Sequence, residues 1–243
     1  MKVIGYMPIL YGKEYLEASL KSVEAVVDKF VVLYTPVGSQ GYSTDIPCPD
    51  TEGELYDIAY RVLGSKLVWD HAVYRSEGQH RDAAFAHAAG FDVLVAVDSD
   101  EVFHPGALSR VLDEVYEGPY RAYGVAGYLN FWRSFNEVCT DGFRPIRFFN
   151  LRRNSGQGEV NLTVYHFSYA QSDQIAEYKW RLSGHRSELR PEWKVIYDNW
   201  LNEKAEWLHP VSRQIWQTTT PFDKTTLPDF LKLHPNYNKE IIR

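Results

Sequence analysis

Cysteine and long apolar runs are scarce in this sequence of 243 residues. Cys48 and Cys139 are its two cysteines, which are too few for a disulfide scaffold or a structural zinc site. No apolar run approaches the roughly 20 residues that a membrane-spanning helix needs. Residues 1–6 predict a strand from the start and lack the pattern of a signal peptide. These absences predict a cytoplasmic protein without a transmembrane segment.

Positive charge is also scarce, since 26 basic residues face 32 acidic ones and the net charge is −6. This balance argues against broad affinity for nucleic acids. The charge is uneven, because residues 144–194 contain 9 Lys or Arg and 5 Asp or Glu, a balance of +4. The rest of the chain holds the remaining 17 basic and 27 acidic residues, a balance of −10. A basic segment in an acidic chain is compatible with an anionic substrate.

Apolar segments of two different periods predict an α/β fold. Through the first half of the chain, short β-branched runs alternate with segments of helical periodicity. The order β-α-β-α-β-α-β-α implies a mostly parallel sheet with helices on both faces. The second half predicts three more strands, one more helix and a C-terminal tail broken by prolines. The predicted strands are 3–7, 30–34, 67–69, 92–97, 124–132, 145–151 and 160–169, and the predicted helices are 11–27, 52–63, 78–89, 105–118 and 172–182.

The most informative stretch is the acidic motif Asp98-Ser99-Asp100-Glu101, which directly follows the apolar strand 92–97. In open α/β sheets, ligands bind in a crevice at the carboxyl ends of the strands. Two like charges buried together are costly. A divalent cation would remove that cost and could bridge the carboxylates to a diphosphate. The motif therefore predicts a metal site, while a solvated loop at the strand end is the simpler alternative.

Three motifs of the first half resemble the nucleotide-sugar domain of GT-A fold glycosyltransferases of the large family-two type. They are residues 15–23 (YLEASLKSV), 81–84 (RDAA) and 98–101 (DSDE), in the order and at the separations typical of that type. The resemblance implies a GT-A-like, Rossmann-type sheet. It also implies a nucleotide-diphosphate sugar donor, with a UDP-sugar as the first expectation, a hydroxyl-bearing acceptor, and Mn²⁺ or Mg²⁺ as cofactor.

A second resemblance lies in the other half of the chain. Residues 166–169 (HFSY), Ile175, Lys179 and 184–185 (GH) are similar to a stretch of the β-1,4-mannosyl-glycoprotein N-acetylglucosaminyltransferases and their bacterial and viral relatives. The substrate of that family is not carried over. The two resemblances together imply a division of the chain by function. Residues 1–123 form the nucleotide-sugar-binding half, 124–209 the acceptor-side half of the same domain, and 210–243 a small helical and extended C-terminal extension.

The first resemblance assigns the metal ligands. Asp98 would lie near the ribose and the metal, and Asp100 would ligate the metal. A downstream histidine completes the metal shell in many GT-A enzymes, and His166 is the first candidate for it. His185 and His209 compete for this role. A structural histidine is the alternative for each of the three.

The remaining donor-site candidates follow strand one or lie on the third predicted helix. Arg81 could pair with the nucleotide or its phosphates, although it could also be a surface arginine. Tyr6 and Pro8 could stack on the base, or simply form a turn at the strand end. The acid that such enzymes carry soon after strand two is missing, since no acid occurs there before Asp45, and the identity of the nucleotide stays open. Three other histidines are expected on helix surfaces or in loops: His80, His87 and His104.

An inverting transfer needs a base that takes the proton of the acceptor hydroxyl. In the family-two type an acidic residue at the start of a late helix does this, and Asp173 occupies that place. The alternative is that Asp173 only caps the helix, because Asp is common at that position. A retaining enzyme needs no base there. The weaker candidates for the base are Glu137, Asp141 and Glu159.

The leading hypothesis is a metal-dependent glycosyltransferase that moves a hexosyl or pentosyl group from a nucleotide-diphosphate donor to a hydroxyl. The acceptor could be a glycan, a lipid-linked sugar or another hydroxyl compound. It could also be a modified DNA base, which is the one place where nucleic acid would enter. A nucleotidyltransferase would need a Gly-rich basic loop after strand one, and residues 5–12 (GYMPILYG) lack it. The third alternative, a non-catalytic sugar-binding module, does not explain why both motif aspartates are present.

Overall fold

The computed structural model describes residues 1–38, 43–183, 185–203 and 207–243. Helices and strands alternate through the first half, and long strands dominate the middle of the chain. The helices are α1 Lys13–Lys21, α2 Glu52–Leu63, α3 Glu77–Ala86, α4 Pro105–Glu117, α5 Asp173–Leu182 and α6 Trp193–Glu203. The strands are β1 Val3–Ile9, β2 Lys29–Tyr34, β3 Leu67–His71, β4 Val93–Ala96, β5 Glu101–Phe103, β6 Ala122–Trp132, β7 Glu137–Cys139, β8 Ile146–Asn150, β9 Gln157–Tyr169 and β10 Thr220–Pro221.

All these strands belong to one mixed sheet. Its main path runs in the order β10-β7-β6-β8-β4-β1-β2-β3. The pairs β1–β2, β1–β4 and β2–β3 are parallel, whereas β8 lies antiparallel between β4 and β6. The long strands β6 and β9 pair in parallel, and β5 joins the other side of β9. The predicted α/β class, with a mostly parallel sheet flanked by helices, is confirmed.

The central strands are apolar because both of their faces are covered. On one face, side chains of β1, β2 and β4 pack with α1, α2 and α4 in a large cluster that includes Leu16, Leu55 and Leu112. On the other face, alternate side chains of the same strands pack against Ala84 and Ala88 in and after α3. Burial of each large apolar side chain stabilises the fold by roughly 1.5–3 kcal/mol. The carboxyl ends of β1, β2 and β4 are thereby held side by side.

The structure corrects several predicted boundaries. Helix α1 ends at Lys21, and a separate short 3-10 helix, Glu24–Val26, precedes β2. The three-residue strands β5 and β7 were not predicted, because pairing with β9 and β6 decides them rather than their own pattern. The predicted functional boundary at residue 123 falls inside β6, so one strand runs through both halves.

The C-terminal segment is tied to the body of the fold. Strand β10 pairs with β7 at the end of the sheet. Leu227, Leu231 and Ile242 join a buried cluster with Tyr15 of α1 and Phe135. The functional division of the chain into three parts stays a prediction. No helix in the described part of the chain is both long and apolar enough to cross a membrane.

Candidate active site

A cavity of about 240 Å³ opens at the carboxyl ends of the parallel strands. The segments after β1, β2 and β4 form its floor, and β9, α3 and α5 complete its walls. This is the crevice where open α/β sheets bind ligands. The lining residues are Pro8, Ile9, Leu10, Tyr11, Gly12, Thr35, Gly38, Glu77, His80, Arg81, Asp98, Ser99, Asp100, His166, Gln171, Lys179, Leu182 and Ser183.

Asp98, the first motif carboxylate, is held by two arginines. The Arg81 guanidinium donates to both of its oxygens, at 3.0 and 3.3 Å, and the Arg147 Nη2 donates to Oδ2 at 3.1 Å. Burial raises the pKa of Asp98, but the two arginines lower it by more, so the net pKa lies below its ordinary value. Asp98 is therefore ionised, and the two arginines balance its negative charge.

Glu101 lies behind the cavity and anchors the same network. Its side chain is fully buried, accepts a hydrogen bond from the Tyr128 hydroxyl at 2.6 Å and one from the Arg147 Nε at 2.7 Å. The Arg147 Nη2 also donates to the other Glu101 oxygen. Arg147 thus bridges Glu101 to Asp98. The bridge fixes the backbone turn that presents the acidic motif.

Asp100, the second motif carboxylate, faces the cavity and meets three groups from the second half of the chain. Lys179 Nζ lies 3.3 Å from Oδ2, Gln171 donates to the same oxygen at 3.1 Å, and His166 Nε2 lies 3.6 Å from Oδ1. Burial raises the pKa of Asp100, while Lys179 and His166 lower it by more, so the net pKa is well below its ordinary value. Asp100 is the carboxylate that an incoming cation would meet.

The His166 ring is oriented by a side chain of the neighbouring strand. Its Nδ1 lies 2.7 Å from Oδ1 of Asn130, on the neighbouring strand β6. When Nδ1 donates to this amide oxygen, the neutral ring has its free nitrogen at Nε2, which faces Asp100 at 3.6 Å, and Nε2 can then ligate a cation. Metal-ligating histidines are commonly oriented in this way by a hydrogen bond from the other ring nitrogen.

The predicted three-ligand set is only partly assembled. Asp100 and His166 lie together, whereas Asp98 is turned to its arginines. Among the described residues, no three His, Cys, Asp or Glu side chains form a metal-binding group. The Asp100 carboxylate nevertheless suits Mn²⁺ or Mg²⁺, because Mg²⁺ in particular is usually held by one or two carboxylates with substrate phosphates and water.

The other predicted donor-site residues divide into two groups. Pro8 and Arg81 line the cavity, as expected. Tyr6 does not, because its ring is 3% exposed and packs in the core between β1 and α3. Burial is the main cause that raises the pKa of its hydroxyl, which lies beside Arg81. Tyr6 is thus placed to support Arg81 rather than to stack on a base.

Asp173 also lies away from this cavity. It begins α5, where Ser172 is the N-cap residue. Its Oδ1 accepts a hydrogen bond at 2.7 Å from Arg133, whose side chain is 1% exposed. Its carboxylate lines a different cavity, between α5 and α6. The structure therefore places the predicted base in an ion pair, and its catalytic role stays a prediction.

The two competing histidines and Asp50, an acid of the loop after β2, lie apart from the acidic motif. His185 Nδ1 lies 3.1 Å from Glu188, and His209 Nδ1 accepts two backbone hydrogen bonds; neither reaches Asp100. Asp50, in the loop after β2, faces the start of α1 and accepts from the backbone N–H groups of Gly12 and Lys13 at 2.6 and 3.0 Å. Asp50 caps that helix and does not line the cavity. Gly184, from the second resemblance, lies outside the described residues.

Sequence reasoning assigned no role in the site to four of its residues, although Lys179 belongs to the second resemblance. His80 was expected on a helix surface, but it is 4% exposed, lines the cavity and contacts the Leu33 carbonyl at 2.7 Å through Nε2. Its position four residues before the buried Ala84 was the available signal. Lys179, four residues after the buried Ile175, gave a similar signal on α5. The other two, Arg147 and Gln171, reach the motif from distant parts of the chain.

Comparisons with known proteins give distant structural similarity. No family model and no curated protein sequence matches the chain. Glucosyl-3-phosphoglycerate synthase from Mycobacterium tuberculosis, solved with Mg²⁺ and UDP, is similar with 12% identity and a TM-score of 0.43, over 77% of this chain and 82% of that one. S. aureus TarS with UDP-GlcNAc gives 18% identity and a TM-score of 0.39, over 54% and 35%. A 4-diphosphocytidyl-2C-methyl-D-erythritol synthase from Anaerococcus prevotii has 12% identity and a TM-score of 0.45, over 72% of this chain and 94% of that one.

These neighbours are at most 18% identical to the chain and have TM-scores below 0.5, so they carry no argument for a function. The chain spans less than half the length of several solved structures that it matches, with shares of 41%, 44% and 22% in three of them. The side chains of the site must therefore carry the case for a function.

Proposed function

We propose that the protein is a metal-dependent glycosyltransferase that uses a nucleotide-diphosphate sugar, with a UDP-sugar as the first expectation. The observation that carries the proposal is the convergence of Asp100, His166 and Lys179 in one cavity at the carboxyl end of β4. A carboxylate, an imidazole and an ammonium in one crevice would provide cation ligands beside a charge that binds phosphate. The motif resemblance to GT-A enzymes supports the same function.

The charges of the cavity suit a diphosphate leaving group. Asp98 is already balanced by Arg81 and Arg147, so its charge does not repel a phosphate strongly. Mn²⁺ or Mg²⁺ held by Asp100 and His166 would supply a Lewis acid for the leaving diphosphate. With the Asp100 charge shared in this way, the Lys179 ammonium can donate to a phosphate oxygen. Preorganised charges at the leaving group are the main electrostatic requirement of such a transfer.

The transfer itself is a substitution at the anomeric carbon. The acceptor oxygen forms a bond to that carbon while the bond to the diphosphate oxygen breaks, and its electron pair leaves with the diphosphate. The proton of the acceptor hydroxyl passes to a base in an inverting enzyme. Asp173 was the predicted base, and its ion pair with Arg133 makes its role a question for experiment.

A binding experiment tests the donor site. Calorimetric titration with UDP in the presence of Mn²⁺ should show binding to the wild type, and binding to Asp100→Asn should be at least tenfold weaker. Lys179→Met should weaken UDP binding with the Mn²⁺ requirement retained. The matched control is Lys194→Met, because Lys194 is an exposed lysine paired with Asp198 outside this cavity. Equal binding of UDP with Mn²⁺ or with EDTA would contradict the proposal.

A further inference from the structure

A second cavity, of about 520 Å³, lies beside the first. His166 lines both cavities, and Asn130, which orients it, lines the second. A ligand in this second cavity would therefore lie next to a sugar attached to a diphosphate at Asp100. The lining residues are Tyr128, Asn130, Asp141, Gly142, Phe143, His166, Tyr169, His185, His209, Ile215 and Trp216.

Aromatic rings form much of this second cavity. Phe143 is 57% exposed and stands edge-on to Tyr128, with 5.5 Å between the ring centroids. Trp216 is 6% exposed and keeps a positive backbone φ of 54°, a strained conformation for a bulky residue. Asp141 holds the Trp216 ring and the backbone at Phe143, because its oxygens accept from the Trp216 Nε1 at 2.9 Å and from the Phe143 backbone N–H at 2.8 Å. Binding pockets combine such apolar walls with a few placed polar groups.

His209 supplies a hydrogen-bond donor. Its Nδ1 accepts from the backbone N–H groups of Val211 and Ser212 at 3.2 and 2.9 Å, so the ring proton lies on Nε2. Burial lowers the pKa of His209 below its ordinary value, despite the nearby carboxylate of Asp141, which raises it. The ring is therefore a neutral donor near pH 7, suited to a hydroxyl oxygen rather than to an anion.

His185 supplies a proton acceptor. Its Nδ1 lies 3.1 Å from a Glu188 carboxylate oxygen, so Nδ1 carries the proton and Nε2 keeps the lone pair. The other carboxylate and histidines on this wall are already engaged. Asp141 accepts two protein hydrogen bonds, His209 carries its proton on Nε2, and the His166 Nε2 faces Asp100. The pair is exposed, with side-chain exposures of 68% for His185 and 56% for Glu188, so the Nε2 of His185 is open to the hydroxyl of an acceptor.

From these observations we propose that the second cavity is the acceptor subsite and binds a pyranose. Its C–H face packs on Phe143 and Trp216, and its hydroxyls meet His209 and His185. The proposal rests on the proposed glycosyl transfer. In the reaction, the acceptor oxygen bonds to the anomeric carbon, its proton goes to the His185 Nε2, and the diphosphate leaves with the electrons of the broken C–O bond. A flat nucleobase acceptor would not need this set of hydroxyl-directed groups.

The binding test uses saturation-transfer NMR with the methyl pyranosides of glucose, galactose, mannose and N-acetylglucosamine. We expect at least one to bind the wild type and to bind Phe143→Ala about 3- to 10-fold more weakly, the range for one lost aromatic contact. His209→Asn keeps an acceptor for the two backbone N–H groups, loses the Nε2 donor, and should weaken binding by a similar factor. Tyr60→Ala is the matched control, because Tyr60 is equally exposed, at 56%, on α2.

The outcomes separate the two proposals. The acceptor subsite is refuted, and the donor site stands, if UDP and Mn²⁺ bind but none of the four pyranosides does. The same conclusion follows if Phe143→Ala and His209→Asn bind the pyranosides as well as Tyr60→Ala does. If a pyranoside binds and no nucleotide does, the acceptor role fails together with the proposed function. In the transfer assay, His185→Gln should lower the turnover rate by roughly 10²–10⁴, a far larger factor than its loss of pyranoside affinity. An unchanged rate would refute the role of His185.

Discussion

Removal of one member of the buried ion pair between Arg147 and Glu101 should destabilise the fold severely. The Arg147 side chain is 9% exposed and that of Glu101 is fully buried. Arg147→Met leaves Glu101 with the Tyr128 hydroxyl at 2.6 Å and the Asp98 N–H at 3.3 Å as its hydrogen-bond donors. An uncompensated buried charge costs about 3–5 kcal/mol. Glu101→Met should cost less, about 2–3 kcal/mol, because Arg147 keeps Asp98 as a partner.

The double variant Arg147→Met with Glu101→Met gives the sharper test. Both charges are then absent, methionine fills most of the volume of each side chain, and the loss should be about 1–3 kcal/mol. The coupling free energy should therefore reach at least about 2 kcal/mol. Urea unfolding followed by tryptophan fluorescence measures each free energy, and equal m-values show that the unfolding remains comparable. Single losses that simply add, to within about 0.5 kcal/mol, would refute the proposed network.

Two further predictions concern Asp173 and His234. Asp173→Asn separates the two roles of this residue. If Asp173 is the base, the turnover rate should fall by roughly 10²–10⁴. If Asp173 serves only as the partner of Arg133, the rate should stay near that of the wild type and the stability should fall by about 1–2 kcal/mol, because the buried Arg133 loses its charged partner. Burial lowers the pKa of His234, and its Nδ1 accepts a hydrogen bond from the Asn236 N–H. The unfolded chain therefore binds a proton at this residue more readily than the folded chain does. The free energy of unfolding should fall as the pH drops below about 6.5. His234→Gln should flatten that fall between pH 6.5 and 5 in thermal unfolding, and an unchanged pH profile would contradict this assignment.

The sequence predicted the elements whose pattern is local and missed contacts that only the tertiary fold creates. The strand before the acidic motif and the α4 helix, which Pro105 begins, follow from apolar period and a helix-start signal, and both are present. The partners of the motif are different, since Arg147 and Lys179 lie 49 and 79 residues from the aspartates that they contact. The apolar periodicity of a sequence does not predict which distant charged residue will pair with a buried carboxylate. The sequence therefore located the acidic motif, and the fold determined that Asp98 is bound by arginines.

The same reason explains the placement of Asp173. An acidic residue at the first turn of a helix has the same local pattern whether it faces a cavity or a buried arginine. The contact of Asp173 depends on the position of Arg133, which follows β6 and has a positive backbone φ of 54°. A sequence pattern does not predict such a backbone conformation for an arginine.

The most direct test of the central claim is release of a nucleoside diphosphate from a nucleotide sugar. Purified wild-type protein should release UDP from at least one UDP-sugar when Mn²⁺ and a methyl pyranoside are present, with a glycoside product of matching mass. EDTA and the Asp100→Ala substitution should each abolish both products, while thermal unfolding shows that the variant is folded. Equal turnover in Asp100→Ala, or in EDTA, would contradict the account.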